Sequence, residues 1–362
     1  MHPAPICKSV MKNRFTKKLL KWYSANPREM PWKHTNDPYK IWLSEIILQQ
    51  TRVEQGLPYY ERMIKRFPTV NHLAKASEAE VLKSWEGLGY YTRARNLHAA
   101  AKQIILEFNG KFPETHETIL QLKGVGPYSA AAIGSFAFGL PHAVVDGNVY
   151  RVLARYFGIR ETVDVSKGKK IFSDLAQKLM DKKNPGDYNQ AIMNFGALVC
   201  KPANPECFSC IFKKECVAYL EQSVAELPAK ARKNVVRNRW FNFLVLENEE
   251  DVIIEKRNEK DIWNSLYQFP LLEARGLLKP SELKKLWKKE NFFGDQTLKT
   301  TSISEVITHK LSHQTIFARF VHLQLDSQQL SLPDGWMKVK KKKLGKYSFP
   351  KLIDNYLKVL LF

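Results

Sequence analysis

The sequence contains no run of about 18 uninterrupted apolar residues, so it predicts no membrane-spanning helix. The segment Met1 to Lys12 has no apolar core of signal-peptide length, and secretion is not expected. Acidic side chains are outnumbered, 36 Asp and Glu against 57 Lys and Arg, which leaves a formal charge of +21. An excess of that size favours a polyanionic partner, nucleic acid or an anionic membrane surface, over an acidic small molecule. Charge spread evenly for solubility is the plainer alternative. Apolar residues make up 44% of the chain, which excludes global disorder. A length of 362 residues is that of roughly two domains.

Cysteine is also scarce, and unevenly placed. Cys7 stands alone and reads as a free thiol, whereas Cys200, Cys207, Cys210 and Cys216 crowd together as C-x6-C-x2-C-x5-C. In a chain without an export signal the compartment is reducing, so disulfides are disfavoured and four close thiols read as a metal site. Structural zinc usually uses two short cysteine pairs, and only Cys207 and Cys210 form one here. By softness alone, zinc and a [4Fe–4S] cluster suit four thiolates equally. Lys201, Lys213 and Lys214 would face such a folded loop toward phosphates.

Strand-like alternation is nearly absent from Phe15 to Leu220. Apolar residues there recur at helical spacing, as in Val70, Leu73 and Ala74, then Val81, Leu82 and Trp85. Ser77 with Glu80 predicts a capping box. Residues 225–238 form a polar, basic linker, and a mixed texture follows. Trp240 to Leu246, Val252 to Glu255 and Thr315 to Leu325 read as strands; Pro280 to Lys289 and Pro350 to Leu361 read as helices. A low-complexity basic run covers Lys338 to Lys343.

Three places carry chemistry. Gly124, Val125 and Gly126 lie between two helical patterns, where glycine allows a tight turn and backbone N–H groups can hold an anion. Such a helix–hairpin–helix grips a DNA phosphate without reading sequence; a plain helix–helix turn is the alternative. Glu45 has Ile41, Trp42, Leu48 and Gln49 as helical neighbours, so desolvation should raise its pKa and suit it to act as a general acid. A salt-bridged structural glutamate competes with that reading. Asp146 stands where an N-cap would, which favours an ionised carboxylate; aspartate is also among the commonest caps. Two acids with separated pKa values are the arrangement that breaks glycosidic bonds, one protonating the leaving group and the other supporting an oxocarbenium-like centre.

The residues in order are Pro38-Tyr39-Lys40-Ile41-Trp42-Leu43-Ser44-Glu45, Leu48-Gln49-Gln50-Thr51, Gly87-Leu88-Gly89-Tyr90-Tyr91, the glycine hairpin, Val145-Asp146-Gly147-Asn148-Val149 and the four cysteines. Together they resemble the MutY adenine DNA glycosylases of the endonuclease III superfamily, from about Trp22 to the C-terminus. The resemblance implies an all-α helix–hairpin–helix domain over 1–224, with a [4Fe–4S] cluster loop at 200–216. It also implies a MutT-like (Nudix-like) α+β domain over 239–362. By position it implies that Asp146 supports the sugar cation and Glu45 protonates adenine, with Tyr128 and Asn148 in the same centre and Gln190 at the flipped base. Gln50, Thr51, Leu88 and Tyr90 match residues beside an opposing 8-oxoguanine. The superfamily's strand-cleaving lysine is replaced by Tyr128, and Lys123 is out of register, so a monofunctional glycosylase is expected.

In the second domain, Asp261 to Pro270 is similar to a family segment but lacks both its glycines. The Glu-rich metal-binding helix of nucleotide hydrolases is absent, so this domain is expected to recognise and not to hydrolyse. Thr308-His309-Lys310-Leu311-Ser312-His313 matches the family's recognition loop, with Leu311 in place of phenylalanine. Ser312 and His313 are the residues implied to touch 8-oxoguanine. The expected partner is double-stranded DNA carrying adenine opposite 8-oxoguanine or guanine, bound by an intracellular, nucleoid-associated monomer. A replication clamp is a further partner of the family, although no motif for it is evident. A thymine- or uracil-mismatch glycosylase and a non-catalytic DNA-binding scaffold are the competing readings.

Overall fold

The computed structural model describes residues 8–230, 236–276, 278, 279, 281–283, 285, 299–324 and 332–361. Cys7 and most of the helix expected over 280–289 lie outside them. The helices are α1 (Lys8–Ala25), α2 (Pro38–Leu48), α3 (Val53–Arg66), α4 (Val70–Lys75), α5 (Glu78–Trp85), α6 (Thr92–Glu107), α7 (His116–Leu120), α8 (Pro127–Phe138), α9 (Gly147–Phe157), α10 (Ser166–Leu179), α11 (Pro185–Leu198), α12 (Val217–Leu220) and α13 (Lys351–Leu361). Packing divides the chain into two compact units. One holds the described residues up to Lys75 and those of Asn96–Lys233; the other holds Ala76–Arg95 and those from Asn234 onward.

The first unit is helical, as its period predicts. Its helix starts follow local chemistry. Asp37 caps α2, accepting from the Tyr39 and Lys40 amides, and Pro38 occupies the first helical position, where no amide is needed. The core joins α1, α9, α10 and α11 around Phe15, Tyr156, Phe172 and Phe195. Phe212, from the cysteine-rich loop, enters the same core and stacks on Phe15 at 4.8 Å between ring centroids. Burial of a ring that size stabilises by about 3–5 kcal/mol as judged by truncation, so this side chain seats the loop.

Residues 76–95 lie inside the stretch expected as one domain over 1–224, and they cluster with the C-terminal residues. The Ser77–Glu80 capping box forms and starts α5. The segment then bonds to distant residues of the second unit. Lys83 Nζ donates to the Tyr347 carbonyl at 3.0 Å, Arg95 Nη1 to the Asn264 carbonyl at 2.6 Å, and the Phe349 amide to Glu86 Oε1 at 2.9 Å. These bonds tie it to the C-terminal residues.

Among the described residues, the second unit has one mixed sheet of eight strands. They are β1 (Arg237–Glu247), β2 (Asp251–Lys256), β3 (Tyr267–Gln268), β4 (Leu271–Ala274), β5 (Thr300–Ile303), β6 (Ile307–Lys310), β7 (Gln314–Gln324) and β8 (Trp336–Lys340). β1 and β7 pair in parallel from Arg237↔Gln314 to Glu247↔Gln324 and form the spine. Alternation along β1 sends Phe241, Phe243 and Val245 to one apolar cluster and Leu244 and Leu246 to another, so the sheet is covered on both faces. α13 lies on the first of these. Its Tyr356 hydroxyl bonds His322 Nε2 of β7 at 2.7 Å, while His322 Nδ1 meets Glu247 of β1.

Candidate active site

Two carboxylates lie buried in the helical unit, in contrasting settings. Glu45 projects from α2, a helix apolar on nearly every side, and is 5% exposed. Tyr128, in the first turn of α8, donates its hydroxyl to Glu45 Oε2 at 3.0 Å. Desolvation pushes the Glu45 pKa from its ordinary 4.5 up to about 7; the Tyr128 bond opposes the rise and the nearby charge of Asp146 adds to it. The group can therefore carry a proton near neutrality, as its apolar helix face predicted.

Asp146 caps α9. Its Oδ1 accepts from the Asn148 and Val149 amides, both at 2.8 Å, and its Oδ2 accepts from Asn148 Nδ2 at 2.7 Å. The cap is where the sequence predicts it, whereas the depth of burial is a property of the fold. Burial raises the Asp146 pKa above its ordinary 3.8, against the lowering by those hydrogen bonds and by Arg151. Asn148 is itself held, since Arg151 Nη2 donates to its Oδ1 at 2.8 Å.

The glycine hairpin positions Tyr128. Gly124 has φ +78, and a Cβ there would lie 2.6 Å from Asn96 Cβ, so both backbone and packing require glycine. Gly126 has ordinary extended backbone and caps α8, and a Cβ on it would meet nothing within 4 Å. Nothing inside the described chain crowds that position, and Val125 between the two is buried.

Glu45 opens on a cavity of about 400 Å³, within the usual range for a ligand pocket. Gln190 lines the same cavity, as do Tyr23, Arg28, Trp32, Lys33 and Asp187. These last five were not singled out from sequence; the Pro31-Trp32 pair was the available signal, an aromatic in a proline turn. Lys33 Nζ stands 5.1 Å from the Tyr23 ring centroid, and burial lowers its pKa.

Other expected residues lie elsewhere. Gln50, exposed at φ +54, and Thr51 form the turn after α2. Gly87 to Tyr91 precede α6, in the second unit; Leu88 is buried at 5% exposure and Tyr90, at φ +48, is exposed. Ser312 and His313 form the exposed tip between β6 and β7, where the Leu311 amide donates to the Gln314 carbonyl at 2.8 Å. Leu311, the departure from the family loop, packs half-buried against the sheet core.

The four cysteines line one small cavity and are all unpaired. Among the described residues no three His, Cys, Asp or Glu side chains are arranged to hold a single metal ion. Burial and the neighbouring Cys200 raise the thiols of Cys207, Cys210 and Cys216, that of Cys210 to about 11. Four thiolates there need a cationic group between them. The loop is tied to α9 by two buried arginines that sequence reading missed. Arg155 donates to the Lys201 carbonyl at 2.8 Å, with Cys200 Sγ at 3.5 Å. Arg151 Nε donates to the Cys200 carbonyl at 2.6 Å, so one guanidinium touches both the loop and Asn148.

Comparison with known proteins fits this geometry. Residues 43–180 match the HhH-GPD superfamily of base excision DNA repair proteins, and residues 242–359 match the NUDIX domain. The adenine DNA glycosylase of Buchnera aphidicola subsp. Baizongia pistaciae is 36% identical over 310 residues, covering 84% of each chain. The chain belongs to the adenine DNA glycosylase (MutY) family. Membership makes it a DNA glycosylase of base excision repair, with a helix–hairpin–helix catalytic domain and a C-terminal Nudix domain. The solved structure of a thermostable thymine-DNA glycosylase is 31% identical, with a TM-score of 0.55, and covers 59% of this chain and 98% of its own. Endonuclease III in a non-covalent DNA complex shares the fold, with a TM-score of 0.51 at 22% identity.

Proposed function

We propose that this member of the family hydrolyses the N-glycosidic bond of adenine paired with 8-oxoguanine or guanine in duplex DNA and leaves the strand uncut. The observation that carries this reading is the buried Glu45, bonded to Tyr128, with its pKa near 7, beside the capped Asp146. Glu45 protonates the departing base as a general acid. Asp146, fixed by the α9 amides and Asn148, lies against the positive charge that develops on the sugar. The cavity holding Gln190 takes the extruded base, and extrusion costs a few kcal/mol of stacking. Gly124, Val125 and Gly126 hold a phosphate, and the open side of Gly126 leaves room for a strand to approach. Gln50 and Thr51 in the first unit, and Leu88 and Tyr90 in the second, are the residues that the family resemblance assigns to the opposite base.

Cys200, Cys207, Cys210 and Cys216, which line one small cavity, would hold a [4Fe–4S] cluster, as the family resemblance implies. Such a cluster supplies cationic iron that keeps the loop folded. Iron and acid-labile sulfide in equal amounts, with a brown colour, are the expected result; zinc alone would overturn it.

Likeness to the thymine-DNA glycosylase covers 59% of this chain, whereas the Buchnera adenine DNA glycosylase covers 84% of it. The wider match favours adenine. In the second unit, Ser312 and His313 would meet 8-oxoguanine. No amine stands at Tyr128 to attack the sugar, which favours hydrolysis without strand cleavage. Single-turnover adenine release from 8-oxoguanine, guanine and thymine-mismatch duplexes tests the reading. A borohydride-trapped adduct, or thymine release exceeding adenine release, would overturn it.

A further inference from the structure

The tip between β6 and β7 is held by a polar chain that fixes more than its backbone. Gln314 is buried at 4% exposure, directly after the exposed His313. Its Oε1 lies 3.4 Å from Arg239 Nη1, and its Nε2 lies 2.9 Å from His313 Nε2. Arg239 cannot rotate away. Its Nε and Nη2 grip Glu273 at 2.7 and 2.6 Å, and its Nη1 also donates to Asp261 Oδ1 at 3.0 Å. On the main chain, the Arg237 amide donates to the His313 carbonyl at 3.1 Å.

A guanidinium only donates, so the amide atom facing it must be oxygen. The other amide atom is then the NH2 group, also a donor, and it faces His313 Nε2. That ring nitrogen must offer a lone pair, which puts the ring proton on Nδ1. Ser312 Oγ lies 3.2 Å from Nδ1 and accepts it. With its oxygen engaged as an acceptor, the exposed Ser312 hydroxyl turns its own proton outward.

We propose that Gln314 and Arg239 are positioning residues that lock His313 as the Nδ1–H tautomer, so that the tip presents Ser312 as a hydrogen-bond donor to the base opposite adenine. The inference rests on the recognition role given above to Ser312 and His313. Guanine carries only C–H at C8, whereas its oxidised form carries a carbonyl there. Guanine still offers an acceptor at N7, so a donor separates the two only when aimed at the C8 substituent, a direction that a locked ring holds and a freely rotating hydroxyl does not.

The test uses the full-length protein labelled with nitrogen-15 histidine, with the His313 signals identified by their loss in His313→Gln. Spectra at pH 8 without DNA are expected to show Nδ1–H in the wild type. Gln314→Glu keeps the partner of Arg239 but offers His313 an acceptor, so the tautomer should switch to Nε2–H. Gln314→Met, similar in size, should leave a mixture. The ratio of adenine release from 8-oxoguanine over guanine duplexes should fall at least fivefold in Gln314→Glu and less in Gln314→Met. General loss of folding would slow both duplexes alike and leave the ratio. An Nε2–H or mixed wild-type ring, or a ratio held within twofold after the tautomer switches, overturns the proposal. A wild type that treats both duplexes equally overturns the recognition role itself, and the DNA-free spectrum tells that failure from the other.

Discussion

The two buried carboxylates of the helical unit show how differently one fold can treat the same functional group. Glu45 sits mid-helix among apolar side chains with a single hydroxyl as its partner; Asp146 sits at a helix start and accepts three hydrogen bonds. Desolvation raises both pKa values, but only at Glu45 is the opposing force one hydrogen bond. Position on the helix therefore sets how strongly burial is opposed: the mid-helix acid has one hydroxyl against it, and the capping acid has amides and Asn148 that favour its charged form.

The strongest way to break this comparison is at the acids themselves. Glu45→Gln should slow single-turnover adenine release by about 10²–10⁴-fold, the range of a lost general acid. Asp146→Asn should slow it by about 10²–10³-fold. Near-wild-type rates in both would remove the assignment.

Stability sharpens the contrast next. Burial raises the folded pKa of Glu45 above its ordinary 4.5, so its protonation supports the fold fully below about pH 4.5 and that support is lost as pH rises through about 7. Glu45→Gln should therefore gain roughly 3 kcal/mol over the wild type at pH 8 and close to nothing at pH 4, read by urea unfolding. An equal effect at both pH values would mean that the carboxyl is not desolvated. At the other acid, Asp146→Ala should lose about 1 kcal/mol as a helix cap, and Asp146→Ser should recover most of it without recovering activity.

The smallest effect is at Tyr128. Its hydroxyl lowers the Glu45 pKa, so Tyr128→Phe should move the alkaline fall in rate, expected near pH 7, upward by up to about one unit. A downward move would reverse the proposed direction of that hydrogen bond.

Much of this site was legible because its determinants are local. The apolar neighbours of Glu45, the cap at Asp146, the Ser77–Glu80 box and the paired glycines each act within four residues. What was not legible depends on long-range partners. Nothing near Lys83 or Arg95 announces carbonyls at 347 and 264, so the packing of residues 76–95 with the C-terminal unit was hidden. The parallel pairing of β1 with β7 joins strands some 75 residues apart in the sequence, and only their alternation could be read beforehand. Arg151 and Arg155 looked like ordinary polar positions on α9, because the acceptors that bury them lie in the cysteine loop. Tyr23, Trp32 and Asp187 meet only when three separate segments close around one cavity.

The capping geometry of Asp146 has a further consequence. A side chain that starts a helix cannot be re-aimed by a change of rotamer, because turning it would release two backbone amides. Its direction is inherited from the course of the main chain. In the reaction proposed above, this oxygen pair would have almost no conformational freedom left to lose, and the accuracy of its placement would be that of the helix itself.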